Sequence, residues 1–166
     1  MTTSERENRP DDKMDLIQLS AGYEAAMALA RRSERYFKTR ARIDRIRLDN
    51  PARAAFAVEC MRVTCRLSQV ISWYLVRKAV AAGEMSIDEA FAPNNRLGNK
   101  DVCLFRDVEV LSWLPHQLTQ LLEQSMQLYR DVLHLDCVLQ TQHLVMRKKH
   151  PMRRLEDSVR AGLLAN

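Results

Sequence analysis

Between Pro51 and Gly83 the chain carries neither proline nor glycine, and this unbroken run limits the fold more than any other feature. Asn50 ahead of Pro51 is a strong helix start, because an asparagine side chain can cap free backbone amides and proline in the first turn gives up a hydrogen bond that no helix makes there. The spacing predicts one helix to Ala82. Gly83 ends it, being the residue type that most readily takes the left-handed conformation beyond a helix. Apolar residues lie in two stripes, Ala54, Val58, Met61, Cys65, Ile71, Leu75 and Ala79 on one side and Phe56, Val63, Leu67, Val70 and Tyr74 on another, as in a helix contacted from two directions. The narrow polar stripe that remains reads Glu59, Arg62, Arg66, Gln69, Trp73 and Arg77, with a tryptophan among charges. Tryptophan and arginine are favoured anchors of protein interfaces, so these six residues are candidate partner-binding residues. The competing reading packs Trp73 back over a neighbouring helix, where tryptophans are usually covered.

Two further long helices flank this one. Leu16, Leu19, Tyr23, Ala26, Ala30, Ser33 and Phe37 follow one another at alternating steps of three and four, the seam of a packed helix. Pro115 opens the last, in which Leu118, Leu121, Leu122, Ser125, Leu128, Val132, Leu135 and Leu139 recur at helical spacing until about Met146. Ser86 and Glu89 have the spacing of a capping box for a short turn after Gly83. The stretch from Phe91 to about Val110, with Pro93, Asn94, Asn95 and Gly98, reads as a long connection. With only four Gly and five Pro and an abundance of strong helix formers, the composition agrees with an all-α protein. The expected architecture is a three-helix bundle of long helices over residues 15–146, preceded by a disordered leader, 1–14, and followed by a flexible basic tail, 147–166. Arg147, Lys148, Lys149, Arg153 and Arg154 form two basic groups around Pro151 in that tail and are further candidate partner contacts. The wide apolar arc of the middle helix, more than two neighbours readily cover, predicts a homodimer.

The segment AVECMRVTCRLSQVISWYLVRKAVAAGEMS, residues 57–86, resembles the signature helix of an alphaproteobacterial family named for the regulator of CtrA degradation. Ser125 to Asp136 in the last helix and Arg96, Leu97 and Gly98 in the connection are similar to the same pattern, so the resemblance covers about Pro51 to Leu139. Glu59, Met61, Arg62, Thr64, Arg66, Leu67, Gln69, Val70, Ser72 and Trp73 stand where the family motif has the same residue types. The resemblance implies a homodimeric three-helix bundle with a flexible tail. It also implies an adaptor in regulated proteolysis that helps the ClpX and ClpP protease degrade cell-cycle regulators together with a receiver-domain protein. The first helix and the linker after it match that pattern poorly.

A basic cluster supports a second reading. Between Arg31 and Arg53 lie Arg32, Arg35, Lys38, Arg40, Arg42, Arg45 and Arg47 against only Glu34, Asp44 and Asp49, in a chain of net charge +5. Such a cluster suits an acidic protein surface or nucleic acid, and a basic helical nucleic-acid-binding or transcription-associated regulator is the alternative function. A solvated face is the plainer account, since no recognition helix or stacking platform accompanies it. Catalytic motifs are missing: there is no Gly-rich phosphate loop, no Cys-x-x-Cys and no His-Glu-x-x-His. His134 and Cys137 sit one helical turn apart, but two ligands on one helix are too few for a metal site. The expectation is therefore a non-enzymatic protein with no metal and no cofactor. No stretch approaches the roughly 18 apolar residues of a membrane span, and the polar opening MTTSERENRPDDK has no signal-peptide core, which points to the cytoplasm with Cys60, Cys65, Cys103 and Cys137 as reduced thiols.

Overall fold

A computed structural model describes residues 16–149. Among them the protein is all-helical: α1 (Leu16–Thr39), α2 (Ala41–Ile46), α3 (Asn50–Ala81), α4 (Ile87–Ala90), a 3-10 turn (Pro93–Asn95), α5 (Lys100–Leu104), α6 (Val108–Trp113) and α7 (His116–Lys149). The expected leader, 1–14, and the second basic group, Arg153 and Arg154, lie outside the described residues. Arg147 to Lys149 form the last helical turn of α7, three residues past the predicted end.

The ends of α3 follow from local chemistry. Its cap is Asp49, one residue before the expected Asn50, and the Asp49 carboxylate accepts from the Ala52 amide at 3.0 Å, with Pro51 in the first turn behind it. At the other end Gly83 has φ +76°, and the amides of Gly83 and Glu84 donate back to the carbonyls of Val80 and Ala79. This Schellman arrangement satisfies carbonyls that the helix leaves open. Ser86 and Glu89 form the expected capping box in both directions.

Two compact units divide the chain, Met1–Val132 and Leu133–Asn166. In the first, Leu29 and Tyr36 of α1, Phe56, Val63 and Leu67 of α3, and Leu118, Leu121 and Leu122 of α7 share one hydrophobic core, closed by Ala41 and Leu114. The α1 stripe that enters it is rotated from the predicted seam. Leu19, Ala26 and Ser33 are buried as expected, Leu29 and Tyr36 are buried beside the expected Ala30 and Phe37, which pack partly buried against the core, and Leu16 is exposed. Gly22 lies on the same inward face, where a Cβ would meet the Tyr74 hydroxyl at 2.3 Å, so α1 and α3 approach closely only because this position has no side chain. In the second unit the described residues are the C-terminal part of α7, which exposes Val138, Leu144, Val145 and Met146.

The stretch from Phe91 to Val110, expected to be an irregular connection, is built from the 3-10 turn, α5 and the start of α6. Elements of three to six residues are too short to hold themselves together, so their order must come from what they rest on.

Candidate functional site

They rest on the polar stripe of α3. Trp73 is 1% exposed and Arg66 2%, and Glu59 and Arg77 are buried with them. Packing, the competing reading of Trp73, is what its position gives. Charged residues turned inward need partners, and the connection supplies them in reverse order along the helix. Arg77 stacks its guanidinium 4.4 Å from the Phe91 ring centre and 5.0 Å from that of Trp73, which meets Tyr74 edge-on at 5.3 Å. One turn and more toward the N-terminus, the Gln69 Oε1 accepts from the Gly98 amide at 2.9 Å while the Tyr129 hydroxyl of α7 donates to the Gly98 carbonyl at 2.6 Å.

Arg66 is the centre of the arrangement. Its Nε donates to the Cys103 carbonyl at 2.7 Å, one terminal nitrogen donates to the Phe105 carbonyl at 3.2 Å, and the other reaches the Leu122 carbonyl at 3.3 Å and Ser125 Oγ at 3.5 Å. The rigid guanidinium fork thus ties α3 to the end of α5 and to α7 at once. Burial pulls the Arg66 pKa down and the nearby Glu59 carboxylate pulls it back up. Glu59 pairs with Arg62, and the Arg62 guanidinium lies 4.2 Å over the Phe105 ring. Of the six residues of the stripe, then, Arg62, Arg66, Gln69 and Arg77 grip the connection directly, while Glu59 and Trp73 hold two of those arginines in place.

With the polar stripe inward, one of the two apolar stripes faces out. Phe56, Val63, Leu67, Val70 and Tyr74 are buried, whereas Val58, Met61 and Leu75 are exposed, Met61 at 72%. The gripped connection also presents apolar side chains: Val102, Phe105 and Val108 are exposed, as is Trp113 at the end of α6 just beyond it. A hollow of about 160 Å³ opens beside it, bounded by Glu59, Arg66, Phe105, Asp107, Met126 and Arg130. Sequence reasoning passed over these connection residues because short helices carry no periodicity. The one available signal was that the resemblance includes both the Arg66 and Gln69 stretch and the Arg96, Leu97 and Gly98 element, two segments that meet in the fold.

The basic cluster runs from the C-terminal half of α1 through α2 to Arg53 in the first turns of α3, and Arg35, Arg42, Arg45 and Arg47 are exposed. Its acids have structural tasks: Asp44 pairs with Arg40 at 3.5 Å and accepts from the Tyr36 hydroxyl at 3.1 Å, and Asp49 caps α3. In the last turn of α7, Arg147 and Lys148 are exposed. His134 and Cys137 are both exposed on α7, and among the described residues no three metal-ligating side chains converge. Nor is any helix among them long and apolar enough to cross a membrane.

Fold and site together define an all-helical protein whose long central helix clasps its own connection and displays apolar residues on both. The chain belongs to the family described as protein of unknown function DUF1465, whose profile matches residues 11–163. It is similar to a solved structure, RcdA from Caulobacter crescentus CB15, at 34% sequence identity and a TM-score of 0.57, over 71% of this chain and 87% of that one. The resemblance to the regulator of CtrA degradation family read from the sequence agrees with this match. No curated protein matches the chain significantly.

Proposed function

We propose that the protein is a cytoplasmic, non-enzymatic adaptor in regulated proteolysis, a three-helix bundle that pairs into a homodimer and helps deliver cell-cycle regulators to the ClpX/ClpP protease. The observation that carries this reading is the set of exposed apolar side chains on α3 and the connection, in a chain 34% identical to RcdA. Val58, Met61 and Leu75 form the surface offered to a second copy, since a strip of large apolar side chains along one helix is costly to leave in water. Val102, Phe105, Val108 and Trp113 form the surface offered to clients or to the protease, held in shape by the Glu59 to Arg77 clasp. The stripe thus supports partner binding through the connection. Arg147, Lys148, Lys149, Arg153 and Arg154, with the basic face of α2, attract acidic partners and speed encounter.

The test is reconstitution. With purified ClpX, ClpP, ATP, a receiver-domain partner and a candidate client, the protein should accelerate client loss and co-purify with ClpX or the client. Unchanged degradation together with no association would remove the adaptor reading. Recovery of nucleic acid alone, with affinity falling steeply as salt rises, would favour the alternative built on the exposed arginines of α1 and α2.

A further inference from the structure

Four thiols are free in this protein, and two of them touch: Cys65 Sγ on α3 lies 3.7 Å from Cys103 Sγ on α5, 38 positions along the chain. We propose that Cys65 and Cys103 are an oxidative modification site, at which a hydroperoxide converts the thiol pair to a reversible disulfide that bonds α5 to α3. The inference is independent of the adaptor reading.

Three features make the pair more than a packing contact. First, the backbones on both sides are already fixed. Arg66, the residue after Cys65, donates to the carbonyl of Cys103 itself, and Gln69 one turn on accepts from Gly98 just before α5. The two sulfurs are thus held 3.7 Å apart by backbones bonded to each other, and have to close to the roughly 2.05 Å of a disulfide. Second, the two thiols differ in access. Cys65 is partly exposed beside Met61, whereas Cys103 is fully buried. An oxidant reaches Cys65 first, and Cys103 is sheltered from it. Third, the buried thiol is held protonated until its partner is oxidised. Burial pushes Cys103 up to about 12, with the neighbouring Cys65 adding to the rise, while the Arg66 guanidinium and the Tyr129 hydroxyl pull the other way. The net rise keeps Cys103 a thiol, so it does not compete with Cys65 for the oxidant and reacts only once Cys65 is the sulfenic acid.

The chemistry balances in two steps. The Cys65 sulfur attacks one peroxide oxygen, the O–O bond breaks, and Cys65–SH with H2O2 gives Cys65–SOH and water. The Cys103 sulfur then attacks the Cys65 sulfur and displaces hydroxide, which leaves as water with the Cys103 proton. Two thiols lose two electrons in all, and the peroxide accepts them. In a reducing compartment a small thiol or dithiol reverses the bond, so the site records transient oxidation.

The experiment uses the full chain and a Cys60→Ser/Cys137→Ser form that keeps only the pair. Each is treated with hydrogen peroxide, alkylated in denaturant, digested and mapped by mass spectrometry. The full chain should fall from four alkylatable thiols to two, with a Cys65–Cys103 cross-linked peptide whose yield is independent of protein concentration and which dithiothreitol removes. The oxidised form should melt about 10 °C higher, because the bond closes a long loop in the unfolded chain. Cys65→Ser, at the more exposed position, should fold and form no cross-link to Cys103. The proposal is overturned if the lost thiols map to Cys60 or Cys137, if Cys65 goes to the sulfinic acid with Cys103 still free, or if all four thiols persist.

Discussion

Replacing Arg66 tests the clasp at its centre. In Arg66→Ala the carbonyls of Cys103 and Phe105 lose a charged donor at 2.7 and 3.2 Å, and the Leu122 carbonyl loses a third contact but keeps the Ser125 hydroxyl at 3.1 Å. Each buried carbonyl left without its donor costs about 1–3 kcal/mol. Removing a buried charge returns part of its desolvation cost, and losing the long side chain leaves space that neighbours only partly fill. The net expected loss is about 4 kcal/mol, equivalent to a melting point lower by about 10 °C for a chain of this size. Urea denaturation followed by far-ultraviolet circular dichroism measures it, and hydrogen exchange locates it: amides from Arg96 to Asp107 should lose protection before those of α1 or α3. Arg66→Met separates the terms by keeping the stem and removing only the charge and its donors. If the Met form is as stable as the native protein, burying the charge costs as much as its bonds return, and the argument that Arg66 holds the connection fails.

Other perturbations follow the same geometry. Trp73→Ala should cost about 3–5 kcal/mol in stability, a core loss, and is checked by the same urea titration. Gly22→Ala should destabilise by about 1–3 kcal/mol through contact with the Tyr74 hydroxyl, and Tyr74→Leu in the same chain should return part of the loss in a double-mutant cycle. Met61→Asp should leave the helical signal intact and shift light scattering from two chains toward one; a variant that still scatters as a dimer places the interface elsewhere. Capping holds the Glu89 carboxyl below its ordinary range, so its contribution is present above that range and is lost as pH falls through the lowered value; Glu89→Gln should flatten this part of the acid limb in a pH series of melting curves. A chain ending at Lys149 should keep its melting point and lose affinity for an acidic partner, more so at low salt.

The C-terminal end of α3 and the turn after it were legible, and its start to within one residue, because caps, Schellman glycines and capping boxes are contacts within a few residues. Composition and period likewise sufficed for the three long helices. The face of α1 was only half legible. Leu29 and Ala30, and again Tyr36 and Phe37, are adjacent apolar residues about 100° apart around the helix, and periodicity alone cannot choose between them. Gly22 and Tyr74 make the choice, through a contact between residues 52 positions apart that is invisible in either segment. The polar stripe of α3 was legible as a stripe, and of its two readings the packed one describes Trp73, with Glu59, Arg66 and Arg77 buried beside it. Its partners are the amide and carbonyls of a connection that itself has no legible pattern, so nothing local marks Arg66 as buried.

A polar clasp suits a segment of this kind better than an apolar one. Apolar contacts reward burial but do little to fix which residue sits where, and α5 and α6 have too few residues to set their own register. Hydrogen bonds to particular backbone groups do fix it: Arg66 donates to the carbonyls of Cys103 and Phe105 in one placement only, and Gln69 Oε1 receives the Gly98 amide in one. Gly98 is held so closely that a Cβ there would meet Gln69 Oε1 at 3.2 Å. The clasp therefore controls where Phe105, Val102 and Val108 stand on the surface, although none of its buried members reaches that surface. It follows that weakening the clasp should alter partner binding and local hydrogen exchange together, whereas Val108→Ala, at a side chain 71% exposed, should alter binding with little change in the exchange of α5. If Arg66→Lys loosened α5 and left binding unchanged, presentation of the connection would not be what partners read.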